Sequence, residues 1–260
     1  MGNSFRYDPL IDDLPFEAEI NWVKRQSGRV NIDPRLLDHL DRSIYRYATQ
    51  PETATLVDRD EWWFDRPIFW KDKYERHIAA RLFDVGGAFN DMGVYAKCFT
   101  FEYTSEPMWR LNTDRIRLAF TLGDLIDRLA VATGTDGGAL PKLYIGRARY
   151  MGPRKIRNAI DGMREGEPAF KSRLAAAALL MKRIGFHYEN EIRACFIYEP
   201  GTPRPHHLEI KIDAPITAML IDPYMGPDKS PALIGKYRAL RYEIDQSKFD
   251  LDPSFHDQPD

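Results

Sequence analysis

Phe186-His187-Tyr188-Glu189-Asn190-Glu191-Ile192-Arg193-Ala194-Cys195-Phe196-Ile197 follows an alanine-rich segment and brings two acids and a base into an apolar, β-prone run. Successive side chains on a strand face opposite ways. Glu189, Glu191 and Arg193 therefore share one face, while Ile192, Ala194 and Phe196 turn toward a core. Two carboxylates about 7 Å apart on a strand repel each other. They fill a plain surface poorly. The same pair suits a site that holds a cationic transition state and orients the nucleophile attacking it. The structural alternative is a charged strand entry with an internal Glu191–Arg193 pair.

The remaining composition bounds the problem. A chain of 260 residues, 43% hydrophobic, is long enough to bury a sizeable core. Thirty-seven Lys and Arg against 39 Asp and Glu leave a formal charge of -2, so no global field recruits nucleic acid or an anionic membrane. Cys98 and Cys195 each sit in an apolar β-like run and read as reduced core thiols rather than a disulfide. Met1–Arg6 lacks an apolar signal core, and Arg6 stands where a myristoylation motif wants Ser or Thr. With no apolar run long enough to span a bilayer, the expectation is a cytoplasmic protein without a membrane partner.

The pattern predicts one α+β domain over residues 33–249, preceded by an extension (1–32, with a short helix at Pro15–Arg25) and followed by a disordered tail (250–260). Strands are expected at Ile44–Tyr47, Val94–Phe101, Arg115–Phe120, Leu143–Tyr150, His207–Ile212 and Ile216–Ile221. Helices are expected at Pro51–Val57, Lys71–Phe83, Leu122–Thr133, Pro153–Met163, Phe170–Arg183 and Pro231–Leu240. Gly134–Gly138 is a loop, Glu165–Pro168 a break and Pro200–Pro205 an exposed turn.

Three strands in this order offer an Arg, a hydroxyl and carboxylates: Arg46, Thr100, then Glu189 and Glu191. Each has a task if the ligand is a dinucleotide such as NAD. Arg46 can make bidentate hydrogen bonds to a diphosphate or ribose. Thr100 can order the carboxylate through its hydroxyl. Glu191 can accept from a ribose 2′-OH and stabilise an oxocarbenium-like centre as nicotinamide leaves, with Glu189 aligning the acceptor. No zinc site is expected, because His206-His207 has no partner at ligand spacing. Asp72 and Glu75, one helical turn apart, suggest either a metal-dependent nuclease or a solvated helix face. The Trp62–Phe64 and Phe69–Trp70 aromatics read as core.

Several pieces carry a resemblance: Ile44-Tyr45-Arg46-Tyr47, Trp70-Lys71-Asp72-Lys73-Tyr74-Glu75, Cys98-Phe99-Thr100, Pro107-Met108-Trp109-Arg110-Leu111, Lys182 with Tyr188–Arg193, Ile221-Asp222-Pro223 and Ser247. In this order they resemble the bacterial domain-of-unknown-function 2971 family over about residues 43 to 250. The chain departs from that pattern at Lys71-Asp72-Lys73, where Asn-Asp-Pro is usual, and at Asn112, where Tyr is usual. The Arg, Thr and Glu-x-Glu order is also similar to ADP-ribosyltransferases, and the opening strand looks like the start of DarT-type nucleic-acid ADP-ribosyltransferases. That second resemblance implies a split mixed or antiparallel sheet with flanking helices. It makes Arg46 the NAD anchor, Thr100 the orienting hydroxyl, Glu191 the catalytic carboxylate and Glu189 its partner at the acceptor. Tyr45 and Trp109 become stacking candidates for nicotinamide or adenine. It further implies a toxin or phage-defence effector that modifies protein or nucleic acid, with a possible antitoxin or immunity partner. The competing expectation is a non-catalytic ligand-sensing or interaction module.

Overall fold

The central strand is β10 (Glu191–Tyr198), which starts directly after Asn190. Asn190 is left-handed (φ 41°) and closes a 3-10 turn over Ile184–Glu189. The acidic stretch is thus a turn followed by a strand, because Asn tolerates the left-handed region at which the turn must end. β10 pairs antiparallel with β5 (Gly93–Thr100) on one side and β7 (Lys142–Arg147) on the other. Beyond β7 lie β2 (Val30–Ile32), parallel to it, and β1 (Val23–Arg25). Val23–Arg25 and Val30–Ile32 therefore belong to the sheet, not to the extension. Burial of Val30, Asn31 and Ile32 explains the difference, and residues 23–25, expected at the end of a short helix, form a strand instead.

On its other edge β5 forks. Asp65 opposite Ala96 attaches β4 (Glu61–Asp65), backed by β11 (His207–Lys211). Tyr45 opposite Thr100 attaches β3 (Ser43–Thr49), followed outward by β6 (Arg115–Thr121), β12 (Ile216–Ile221) and the parallel β13 (Ile244–Gln246). The result is an eleven-stranded mixed sheet that splits at β5. A separate parallel pair joins β8 (Arg149–Met151) to β9 (Met181–Arg183).

Helices cover both faces. One face packs Ile192, Ala194 and Phe196 with Leu118, Phe120, Trp62, Phe64 and α4 (Leu122–Ala132). The other packs Cys195, Ile197 and Ala96 with α2 (Lys73–Phe83), α5 (Pro153–Met163) and α6 (Lys171–Leu179). The fork is bridged along the chain by α1 (Gln50–Arg59), whose N-cap Thr49 accepts from the Glu52 amide. The short α3 (Glu106–Arg110) follows β5, and α7 (Ser230–Ala239) precedes β13. The alanine-rich helix stops at Leu179 rather than running to Arg183, because Met181–Arg183 is claimed by β8, a partner far away in sequence. No helix among the described residues is long and apolar enough to cross a membrane.

The structure, a computed structural model, describes residues 20–26, 29–110, 114–132, 141–163, 171–198 and 205–247. Residues 1–19, the Gly134–Gly138 loop, the Glu165–Pro168 break, the 200–204 part of the Pro-rich turn, Asn112 and the 250–260 tail lie outside them.

Candidate active site

Antiparallel partners project to the same side of a sheet. Glu191 lies opposite Thr100, and Thr100 opposite Tyr45, so these three form a row across β10, β5 and β3. Arg193, opposite Cys98, continues the same face. The two acids converge here, though not as neighbours on one strand. Thr100 Oγ1 donates to the Glu189 carbonyl at 2.5 Å and accepts from the Glu102 amide, fixing the turn that presents Glu189. The Thr100 hydroxyl thus engages the main chain and not the carboxylate it was expected to order.

Lys182, delivered by β9, ties the acids together. Its Nζ is 2.5 Å from Glu189 Oε2 and 2.5 Å from Glu191 Oε2. Arg193 forms a fork on Glu191, Nε to Oε1 at 2.9 Å and Nη2 to Oε2 at 3.1 Å. Arg193 also donates to the Leu179 carbonyl at 2.5 Å and to Glu75, and its guanidinium lies 4.6 Å from the Trp70 ring. The Glu191 amide donates to the Tyr150 hydroxyl at 2.8 Å. Sequence reasoning left Lys182 and Tyr150 without a task, since their positions depend on the β8–β9 pairing.

Burial pushes both carboxyls up, but with different outcomes. At Glu191 the charges of Arg193 and Lys182 outweigh burial and pull the carboxyl down to about 2. At Glu189 burial, helped by the negative Glu191, outweighs Lys182 and raises the carboxyl above its ordinary value. The two carboxyls are thus driven apart, Glu191 below its ordinary value and Glu189 above it, the kind of separation found in acid–base pairs. Lys182 is burdened by burial, yet the adjacent Glu191 keeps it firmly protonated.

The expected anchor, Arg46, is elsewhere. It follows Tyr45 in the strand, so it faces the opposite side and lies across from Leu118 in the other core layer. Its Nε and Nη2 each donate to Glu52 at 3.1 Å, and its Nη1 to the Cys98 carbonyl at 3.2 Å. Lys97 Nζ (2.5 Å) and Trp62 Nε1 (3.1 Å) also donate to Glu52. Arg46 therefore pins the fork from behind the row, where strand parity keeps it off the Glu191 face. Trp109 is on the Glu191 side but is buried edge-on against Tyr47, 4.7 Å between centroids. Tyr45 packs edge-on against Tyr103.

Asp72 and Glu75 are not a solvated pair. Asp72 Oδ1 caps α2, accepting from the Tyr74 and Glu75 amides at 2.8 Å each, and Oδ2 accepts from Arg183 at 2.8 Å. Glu75 turns inward to Arg193. A surface depression of about 550 Å³, lined by Lys71, Asp72, Lys73, Tyr74, His77 and Arg183, lies beside these residues. Among the described residues no group of three or more His, Cys, Asp or Glu could hold a metal ion. His206 stacks on Phe69 and His207 packs against Trp63, both rings being exposed, so this part of the aromatic block is not core. Cys98 and Cys195 are free thiols.

No family model, no curated protein and no solved structure matches the chain.

Proposed function

We propose that the chain is an NAD-consuming, ADP-ribosyltransferase-like enzyme, with Glu191 and Glu189 as its working carboxylates. The observation that carries this is the row Tyr45–Thr100–Glu191 at the sheet fork, with Glu189 beside it on the opposite side of its ordinary proton affinity from Glu191. In the reaction the ribose C1′–nicotinamide nitrogen bond breaks, and nicotinamide leaves with the electron pair. The ionised Glu191 stabilises the oxocarbenium-like ribose and accepts from its 2′-OH. Glu189 takes the proton of the acceptor hydroxyl or amine as that group attacks C1′. Lys182, a single ammonium on a flexible stem, yields its place on Glu191 to the ribose hydroxyl, whereas the Arg193 fork keeps the carboxylate aligned. An effector acting on a protein or nucleic-acid acceptor is what the ADP-ribosyltransferase resemblance implies. Arg46 has no part in this chemistry.

The test is nicotinamide release from NAD by purified protein, wild type beside Glu191→Gln, with cell extract as acceptor. Turnover that vanishes in the variant supports the proposal. A well-folded wild type that neither binds nor cleaves NAD overturns it.

One observation favours a second reading, a non-catalytic binding module: both Glu191 oxygens are occupied by Lys182 and Arg193. NAD binding without turnover, equal in wild type and Glu191→Gln, is the result that reading requires.

A further inference from the structure

Four basic side chains are buried among the described residues: Lys97, Arg117, Lys182 and Arg193. Three have carboxylate partners, Lys97 on Glu52, Lys182 on both Glu189 and Glu191, and Arg193 on Glu191 and Glu75. Arg117 is the exception. It is 4% exposed, its Nη1 donates to the Tyr103 carbonyl, and the Tyr47 hydroxyl lies beside its guanidinium, but no carboxylate among the described residues pairs with it. Its guanidinium lies 4.6 Å from the Tyr45 ring and 4.3 Å from the Tyr103 ring, and its Nε has no partner. Nearby Glu102 accepts from the Asn190 side chain instead. Arg115, two residues earlier, also has an Nε without a hydrogen-bond partner, but the carboxylates of Glu52 and Asp222 act on it and its Nη1 is spent on the Tyr47 carbonyl, so it is not a cation without counter-charge.

A buried cation without a counter-charge is costly, and aromatic faces offset only part of that cost. The missing partner is therefore an anion. Strand parity places it. Arg117 lies opposite Tyr47 on β3, and Tyr45, two residues back on that strand, lies opposite Thr100 in the Glu191 row. Arg117 thus shares the Glu191 face, three strand spacings across and two residues along, about 16 Å of backbone away, a span that an extended dinucleotide covers.

We infer that Arg117 forms an anion site for the phosphates of a nucleotide ligand, the position that sequence order assigned to Arg46. Identifying that ligand as NAD rests on the function proposed above; the anion site itself rests on the unpaired guanidinium.

Inorganic pyrophosphate is the probe. Calorimetric titration of the full chain is expected to show binding that weakens at least tenfold in Arg117→Gln and recovers in part in Arg117→Lys. Because a variant can fail to fold, the wild type supplies its own readout: the Arg117 Nε–H resonance, identified by its absence from the Arg117→Lys spectrum, shifts as pyrophosphate is added. An unmoved resonance, or equal affinity in folded Arg117→Gln, overturns the anion site. Pyrophosphate binding that depends on Arg117 in a protein that never releases nicotinamide keeps the site and removes the NAD reading. Turnover with an unchanged KM for NAD in Arg117→Gln does the reverse.

Discussion

Glu189 and Glu191 share one ammonium, Lys182 Nζ at 2.5 Å from each, yet their proton affinities part, Glu191 falling below the ordinary carboxylate value and Glu189 rising above it. The division follows from what else each carboxylate meets. Glu191 also receives the Arg193 fork, whereas Glu189 has only its share of the lysine.

The two acids should leave opposite marks on stability. Glu191 is lowered from 4.5 to about 2, so its contribution is full above pH 4.5 and is lost as pH falls toward 2. By linkage that contribution is roughly 2–4 kcal/mol. Glu189 is raised, so its contribution is present below its ordinary range and is lost as pH rises through the folded value. Urea unfolding across pH 2.5–7 (about the accessible range) checks both. Wild type and Glu191→Gln should converge toward acid, and Glu189→Gln should gain on wild type toward neutrality.

Arg46 is expected to matter for stability and not for turnover. Glu52→Gln strands the buried Lys97 and the half-buried Arg46 and should cost about 3–5 kcal/mol. Arg46→Met leaves Glu52 with Lys97 and Trp62 and should cost less. Nicotinamide release by Arg46→Lys should stay within a few-fold of wild type, and a loss approaching that of Glu191→Gln would return Arg46 to the site.

Thr100→Val should release the turn that carries Glu189. Two hydrogen bonds are lost, one of them to a buried carbonyl, for about 1–3 kcal/mol by denaturant midpoint. Thr100→Ser keeps the hydroxyl and should recover most of that loss, together with the turnover. A Val variant as stable and active as wild type would show that the hydroxyl holds nothing.

Gly87→Ala probes the end of α2 independently of the site. A Cβ there would meet the Leu82 carbonyl oxygen at 2.5 Å and the Arg81 oxygen at 2.7 Å, both main-chain atoms. A drop in melting temperature without a change in NAD affinity is expected, because main chain yields less than a side-chain tip.

Much of the fold was legible because period-two burial is local. Ile192, Ala194 and Phe196 entered one core and Cys195 and Ile197 the other, as alternation required. Helical spacing was visible at Pro51–Val57 and Lys71–Phe83, whereas the N-caps Thr49 and Asp72 emerged from the structure. Alternation also held the correction to Arg46: adjacent to Tyr45, it had to face the other way, but which face carried Glu191 depended on pairing through Thr100. Partners remote in sequence were out of sight. Glu52 meets Lys97, Lys182 reaches Glu191 from a strand that pairs with β8, and alanine propensity overextended α6 across that strand. The unpaired state of Arg117 is a property of everything around it, and no local pattern encodes it.

The forked strand has a mechanical consequence. β3 and its outer neighbours share one ladder pair with β5, Tyr45 with Thr100, whereas β5 and β10 share eight. The two wings thus hold their own amide ladders and should open as separate cooperative units in hydrogen exchange. The seam between them runs through the row that carries Glu191, so the least protected line of the sheet and its chemistry coincide.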